Sequence, residues 1–400
     1  MPRSRDVRKL LVPGCPLSMN ALWYRPMSWM NEPQRVDARR TLLVVALSVV
    51  VAAGACRSPG APAPAATPAV SAPAPVPTST AFPFEGFGAS TRGGADGRDL
   101  RVTDVSTKAL REVFSRARTG NVTIHLPENA KIVLEKMLPQ VTGSGVTIEG
   151  NGATIDGSRL EQDVALLDIR GHDVIVRNLR LRNGYDNLRV KGPEAFNVVI
   201  DHVSSTGARD DGMTITHGAH DVTVQYSYLA GNTRGLFSKY DGTHNVSVHH
   251  TLLQKNWMRS PLFDGTTSVD MRNVIVEDWG LWGARFEGGA SGNIVASLFT
   301  LSRYATSIGG KKNSALWLKN PAAVYAADNV FRDQATTGTS GEAAAPHAAP
   351  TVQTSTVAEM EPVVRARAGC LPRDNVDRAY LGLRQGWKVT ESEPFRVRLE

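Results

Sequence analysis

Five segments of this chain fall into one frame. NVVIDHVSS, DVTVQYSYL and NVSVHHTLL place their first valines, Val198, Val222 and Val246, 24 residues apart each time. The frame runs back 24 residues to DVIVRNLRL at Val174 and forward 23 to SVDMRNVIV at Val269. A fixed period of this size marks a stacked-repeat architecture. Counted from each valine, apolar residues fall at positions one and three, then at six and eight, so the two-residue strand period breaks once. The break carries Asn178, His202, Tyr226, His250 and Asn273. Each repeat therefore reads as two short strands hinged by a tight bend, with a third strand and a longer loop in the remainder. The expected fold class is all-β, a parallel β-helix.

A solenoid can exceed ordinary domain size because each rung buries only against its neighbours, so 400 residues with 36 glycines suit one large body. The net charge of +7 is a poor guide to partners. Residues 1–55 hold eight Lys/Arg against three Asp/Glu, which leaves about +2 for the rest. Basicity therefore predicts no nucleic-acid partner.

Arg39-Arg40 followed by the apolar run Leu42 to Ala53 reads as the basic and apolar regions of an export signal. The run is short for a membrane span. Its depth in the chain suggests Met30 as the true start. Ala53-Gly54-Ala55-Cys56 resembles a bacterial lipoprotein box, with ordinary signal cleavage nearby as the alternative. The expected organisation is a leader over 1–56, an Ala/Pro-rich tether over 57–82, a β-helix over 83–333, and a loop and tail over 334–400 that pack back on the stack. The expected location is exported, as a surface lipoprotein or secreted, with membrane contact only through the lipid anchor, and the expected state is a monomer. Cys15 and Cys56 fall in the leader, so Cys370 has no partner in the body. Ser106 to Ala117 has a Ser start and apolar residues at helical spacing. A helix there would cover the exposed end of the stack.

Equal phases in successive rungs stack in a line, with rungs about 4.8 Å apart. Asp186 lies 12 residues after Val174, and Asp210 and Asp211 lie 12 and 13 after Val198. Arg234 lies 12 after Val222, Arg259 13 after Val246, and Trp282 13 after Val269. Counting thus lines up acids, two arginines and an aromatic along one groove. Carboxylates suit a hard cation, arginines suit bidentate binding of carboxylates, and tryptophan suits a sugar face. The set points to a polymer of anionic sugars. Taken singly, each acid or arginine is more often an ordinary surface ion pair. His202 and His250 read as hinge residues that hydrogen-bond along the stack, and Trp279 as wall packing.

From Phe84 to about Asp377 the chain resembles the pectate lyases of polysaccharide lyase family one. The likeness rests on EGFGASTRGG, ALREVF, VTIEGNGATIDG, VIVRNLRLRNG, VIDH, DDGMTITHGAHDVTVQYSYL, NVSVHHTLLQKNWMRSP and AGCLPRDNVD. The resemblance implies a right-handed parallel β-helix, with a short capping helix, that cleaves pectate or pectin by β-elimination with calcium as cofactor. It further implies that Asp186 and Asp211 match calcium ligands, with Asp210 as a neighbouring carboxylate. Arg259, in Arg-x-Pro, matches the proton-abstracting arginine, and Arg234 stands where a substrate-binding lysine is usual.

Three departures stand out. Ile215 replaces an acid, and Leu262 and Asp264 replace arginines. Stacking alone puts Arg259 roughly 10 Å from the acids. The leading expectation is a polysaccharide lyase. A non-catalytic polysaccharide-binding β-helix is the alternative. A glycoside hydrolase using Asp210 and Asp211 ranks third, since the segment lacks Gly-His-Gly and Arg-x-Lys.

Overall fold

The computed structural model describes residues 83–382, apart from 162, 302–313, 334 and 340. The leader with Arg39, Arg40 and Cys56, the tether 57–82 and the end of the tail lie outside the described residues.

The described chain is a parallel β-solenoid with one 17-stranded and one 8-stranded sheet. The frame counted in the sequence is the observed register. Val174 faces Val198, which faces Val222, then Val246, Val269, Gly292 and Val324. The valines of this line are buried in the core.

The hinge is a backbone event. Asn178, His202, Tyr226, His250 and Asn273 all take left-handed conformations, with φ between 43° and 53°. This lets strands such as Val174–Arg182 and Phe196–Thr206 turn a corner without ending. A second corner repeats the device at Asp173, Asn197, Asp221, Asn245 and Ser268, with φ between 49° and 55°. Short polar side chains tolerate this region best. They also bond along the stack, from Asn197 Nδ2 to Asp173 Oδ1 at 3.2 Å and from Asn245 Nδ2 to Asp221 Oδ1 at 2.8 Å. At the hinge, His202, Tyr226 and His250 stack their rings instead, with centroids 5.2 and 4.8 Å apart. Asn178 shows the expected hydrogen bond along the stack: its Nδ2 donates to Glu149 Oε1 one rung below at 2.9 Å.

Helix α1, Thr107–Ala117, starts where Ser106 Oγ accepts from the Ala109 amide at 3.2 Å. It buries Leu110, Val113 and Phe114 in the same core as Val122 and Ile124. The stretch 334–400, expected to be loop and tail, also contributes the strand Thr336–Thr339 to the short sheet. Helices α2, Val357–Arg367, and α3, Asn375–Gly382, follow. Val357, Met360, Val364 and Tyr380 form a second core with Tyr228, Leu252, Ile275 and Leu298 of the solenoid. Buried Arg182 fastens this tail by pairing with Asp374 and Asp377 at 3.0 and 2.9 Å. Cys370 is buried and unbonded. Among the described residues no helix is long and apolar enough to cross a membrane.

His249 and His250 are buried side by side, their Nδ1 atoms 3.0 Å apart. Burial pushes His249 down to about 3, with help from its neighbour, and His250 down to about 4. A base held neutral in the fold contributes stability above its ordinary value of 6.5 and loses it as pH falls toward the folded value. Urea unfolding should therefore show stability falling between pH 6.5 and about 4. His250→Asn, which keeps the residue type found at Asn178 and Asn273, should flatten that slope. An unchanged slope would place the acid sensitivity elsewhere.

Candidate active site

The short sheet stacks Asp186–Lys191, Asp211–Thr216, Arg234–Lys239, Leu262–Asp264, Ala284–Glu287 and Ser314–Leu318. Alternation sends Leu188, Met213, Ile215, Leu236, Phe263 and Phe286 into the core. The register then aligns an outward row of Arg189, Thr214, Phe237, Leu262, Arg285 and Trp317.

The predicted site residues gather where these strands begin. Asp211 faces Arg234, and Arg234 faces Met258, so Arg259 follows one residue on, at φ 59°. Carboxylate oxygens of Asp186, Asp210 and Asp211 lie within 4.8 Å of one another. Each acid has its own arginine. Arg189 donates from Nε and Nη2 to Asp186 Oδ2 at 3.1 and 2.5 Å, and Arg234 Nη1 donates to Asp210 Oδ1. Arg259 Nη1 reaches both oxygens of Asp211, at 3.0 and 2.9 Å. Arg259 stands two rungs from Asp211, as stacking predicts, yet its side chain spans the intervening rung to reach the carboxylate. Its guanidinium rests over the Phe237 ring at 3.8 Å.

Burial pushes the Asp211 carboxyl up to about 7, against the pull of Arg259 and with help from the charge of Asp186. The Asp211 amide donates to Asp186 Oδ1 at 3.2 Å, locking the two levels together. The donor set fits a hard cation in type and spacing, with every carboxylate already engaged by a guanidinium.

The departures acquire positions. Ile215 is fully buried, with its side chain in the core. The outward residue on that strand is Thr214, whose buried Oγ1 has no hydrogen-bond partner. Leu262 and Asp264 face outward, and Asp264 pairs with Lys239 at 2.7 Å. Trp282 lies off the acid cluster, half-buried, with its ring 6.3 Å from that of Trp317. Trp279 is a wall residue, 1% exposed. Sequence reading missed Arg189, Thr214, Phe237, Arg285 and Trp317. All five occupy outward places in the two-residue alternation, which was the available signal.

The solenoid matches known structures over most of its length. The major allergen of cedar pollen superposes with a TM-score of 0.58 at 18% identity, over 72% of this chain and 92% of that one. A Bacillus pectate lyase in complex with trigalacturonate gives 0.54 at 17%, over 71% and 98%. The fold is that of the pectate lyases. Sequence agrees with this fold assignment. Probable pectate lyase C of Aspergillus fumigatus is 31% identical over 251 residues, 57% of this chain and 56% of the relative. The Emericella nidulans protein of the same name is 29% identical over 244 residues, 57% and 54%. The chain thus spans about half the length of the curated relatives it matches. No family model matches it.

Arg259 and Asp211 test the charge pairing. Removing one partner of a buried ion pair strands the other, so Arg259→Met should cost about 2–4 kcal/mol at pH 8, while Arg259→Met with Asp211→Asn should cost under about 1. At pH 5 the single variant should recover, because the isolated carboxyl protonates. Equal losses for single and double variants in denaturant unfolding would show that the pair is not coupled.

Proposed function

We propose that this chain is a polysaccharide lyase that cleaves a pectate-type uronate polymer by β-elimination. The observation that carries the reading is the set of three carboxylates and three guanidiniums on the outward face of a sheet in the pectate lyase fold. The names of the similar proteins support the same substrate class. In the reaction the C5 proton leaves, its electron pair forms the C4–C5 double bond, the bond from C4 to the glycosidic oxygen breaks, and that oxygen takes up a proton.

Arg259 is the proposed proton acceptor and Arg234 the proposed carboxylate holder. A guanidinium is ordinarily protonated, and that of Arg259 is bound to both carboxylate oxygens of Asp211. Catalysis therefore requires Arg259 to leave Asp211. An entering uronate polymer supplies the exchange, because its carboxylates offer Arg189, Arg234 and Arg259 new bidentate partners. Asp186, Asp210 and Asp211 are then open to a divalent cation, and are the residues that would hold calcium. When bound, calcium neutralises the charge that builds on the uronate carboxylate.

The leader supports export, with lipid on Cys56 as the anchor. One experiment tests the reading. Washed cells and culture fluid of a bacterial host are incubated with polygalacturonate and calcium, and the ultraviolet absorbance of the unsaturated product is followed. Product should form outside the cytoplasm, with anchored protein in the cell fraction. Arg259→Lys, which keeps charge but loses the planar fork, should cut turnover by about 10²–10⁴. A parent that binds the polymer and forms no product would favour the non-catalytic binding β-helix.

A further inference from the structure

We infer that His220 and His244 form a surface site for a divalent transition metal of the kind that takes neutral imidazole nitrogen, with Cu²⁺ bound most tightly. The site lies outside the groove and stands independently of the lyase reading. His220 opens the strand His220–Gln225 and His244 opens the strand His244–His249. The two residues face each other in register on adjacent rungs of the long sheet.

Four rings stack at this corner in the order His172, Phe196, His220 and His244, with centroids 4.5, 5.1 and 4.8 Å apart and neighbouring planes within 15° of parallel. Rings stacked in this way cover one another's faces, so what they offer a ligand between neighbours is the edge. The edge of an imidazole depends on where its hydrogen sits. His244 Nδ1 lies 2.7 Å from the Gly242 carbonyl oxygen, which can only accept, so Nδ1 carries the hydrogen. His220 Nδ1 lies 2.7 Å from Asp221 Oδ2, and an ionised carboxylate fixes the same tautomer. In the neutral rings both lone pairs therefore fall on Nε2. Among the described residues neither Nε2 has a hydrogen-bond partner. A carboxylate or carbonyl on the far nitrogen is the support that metal-bound histidines use.

The His220 side chain is 25% exposed and His244 is half-buried, so an ion reaches both. Two metal–nitrogen bonds of about 2.0–2.1 Å span roughly 3–4 Å, and the free edges of the rings lean together to close the difference from the 4.8 Å centroid spacing. Imidazole suits copper, zinc and nickel, and among these Cu²⁺ has the highest affinity for a given site. His172 has the same support, with Nδ1 2.7 Å from Asp173 Oδ2, but the Phe196 ring separates it from His220. The ladder thus contains one adjacent histidine pair and one isolated histidine for comparison.

Equilibrium dialysis against Cu²⁺ and electron paramagnetic resonance test this on the full chain, with calcium in large excess to occupy the acidic cluster. The parent should bind Cu²⁺ with the nitrogen splitting of two imidazoles. His220→Phe and His244→Phe each remove a ligand yet keep a ring in the ladder, as Phe196 does, which guards against loss of the fold. Each should weaken binding at least about tenfold and leave the signature of one imidazole. His172→Phe should bind as the parent does. Parental affinity in either His220→Phe or His244→Phe would overturn the site, as would a one-imidazole spectrum in the parent or equal weakening by His172→Phe.

Discussion

Every rung of this solenoid must turn its corners where the rung below turned them. That constraint falls on single residues in the left-handed region, repeated at Asn178, His202, Tyr226, His250 and Asn273 and again from Asp173 to Ser268. Each such residue with a side chain sits at a steric cost of roughly 1–2 kcal/mol, which asparagine and aspartate offset by bonding along the stack. The rings at His202, Tyr226 and His250 offset it by stacking. In return the backbone ladder stays in register from Val174 to Val324, and the core valines remain superposed.

Register is also what assembles the site. Asp186, Asp211, Arg234 and Arg259 come from four rungs and meet only because the short sheet holds one phase across them. Burial alone would make three neighbouring carboxylates costly. The three arginines answer that cost, each bound to a different acid. The groove is therefore close to electrically balanced within itself. Its working groups are held in pairs that a charged ligand has to separate, and this links the stability of the site to its chemistry.

Much of this was legible in the sequence. The period of the valines gave the register, the broken alternation gave the hinge, and equal phase gave the line of acids and arginines. The pairing was not legible. Arg259 does stand two rungs from Asp211, but counting places Cα atoms and says nothing of a side chain that reaches back over Phe237 to the carboxylate. Ile215, which stands where the resemblance expects an acid, packs into the core, and Thr214 beside it turns outward. Arg285 keeps the phase of Thr214 and Leu262, 16 residues after its valine, and was within reach of counting, whereas Trp317 lies beyond the longer step from Gly292 to Val324, where the period breaks.

The account stands on the claim that three arginines occupy the acids until a charged ligand draws them away. Calorimetric titration with calcium, with and without a saturating uronate trimer, measures this directly. Calcium alone should bind weakly, with a Kd above about 10⁻⁴ M, and the trimer should tighten it at least about tenfold. Tight binding to the protein alone, near 10⁻⁶ M or below on the same roughly drawn scale, would mean that Arg189, Arg234 and Arg259 do not guard the acids, and would contradict the account.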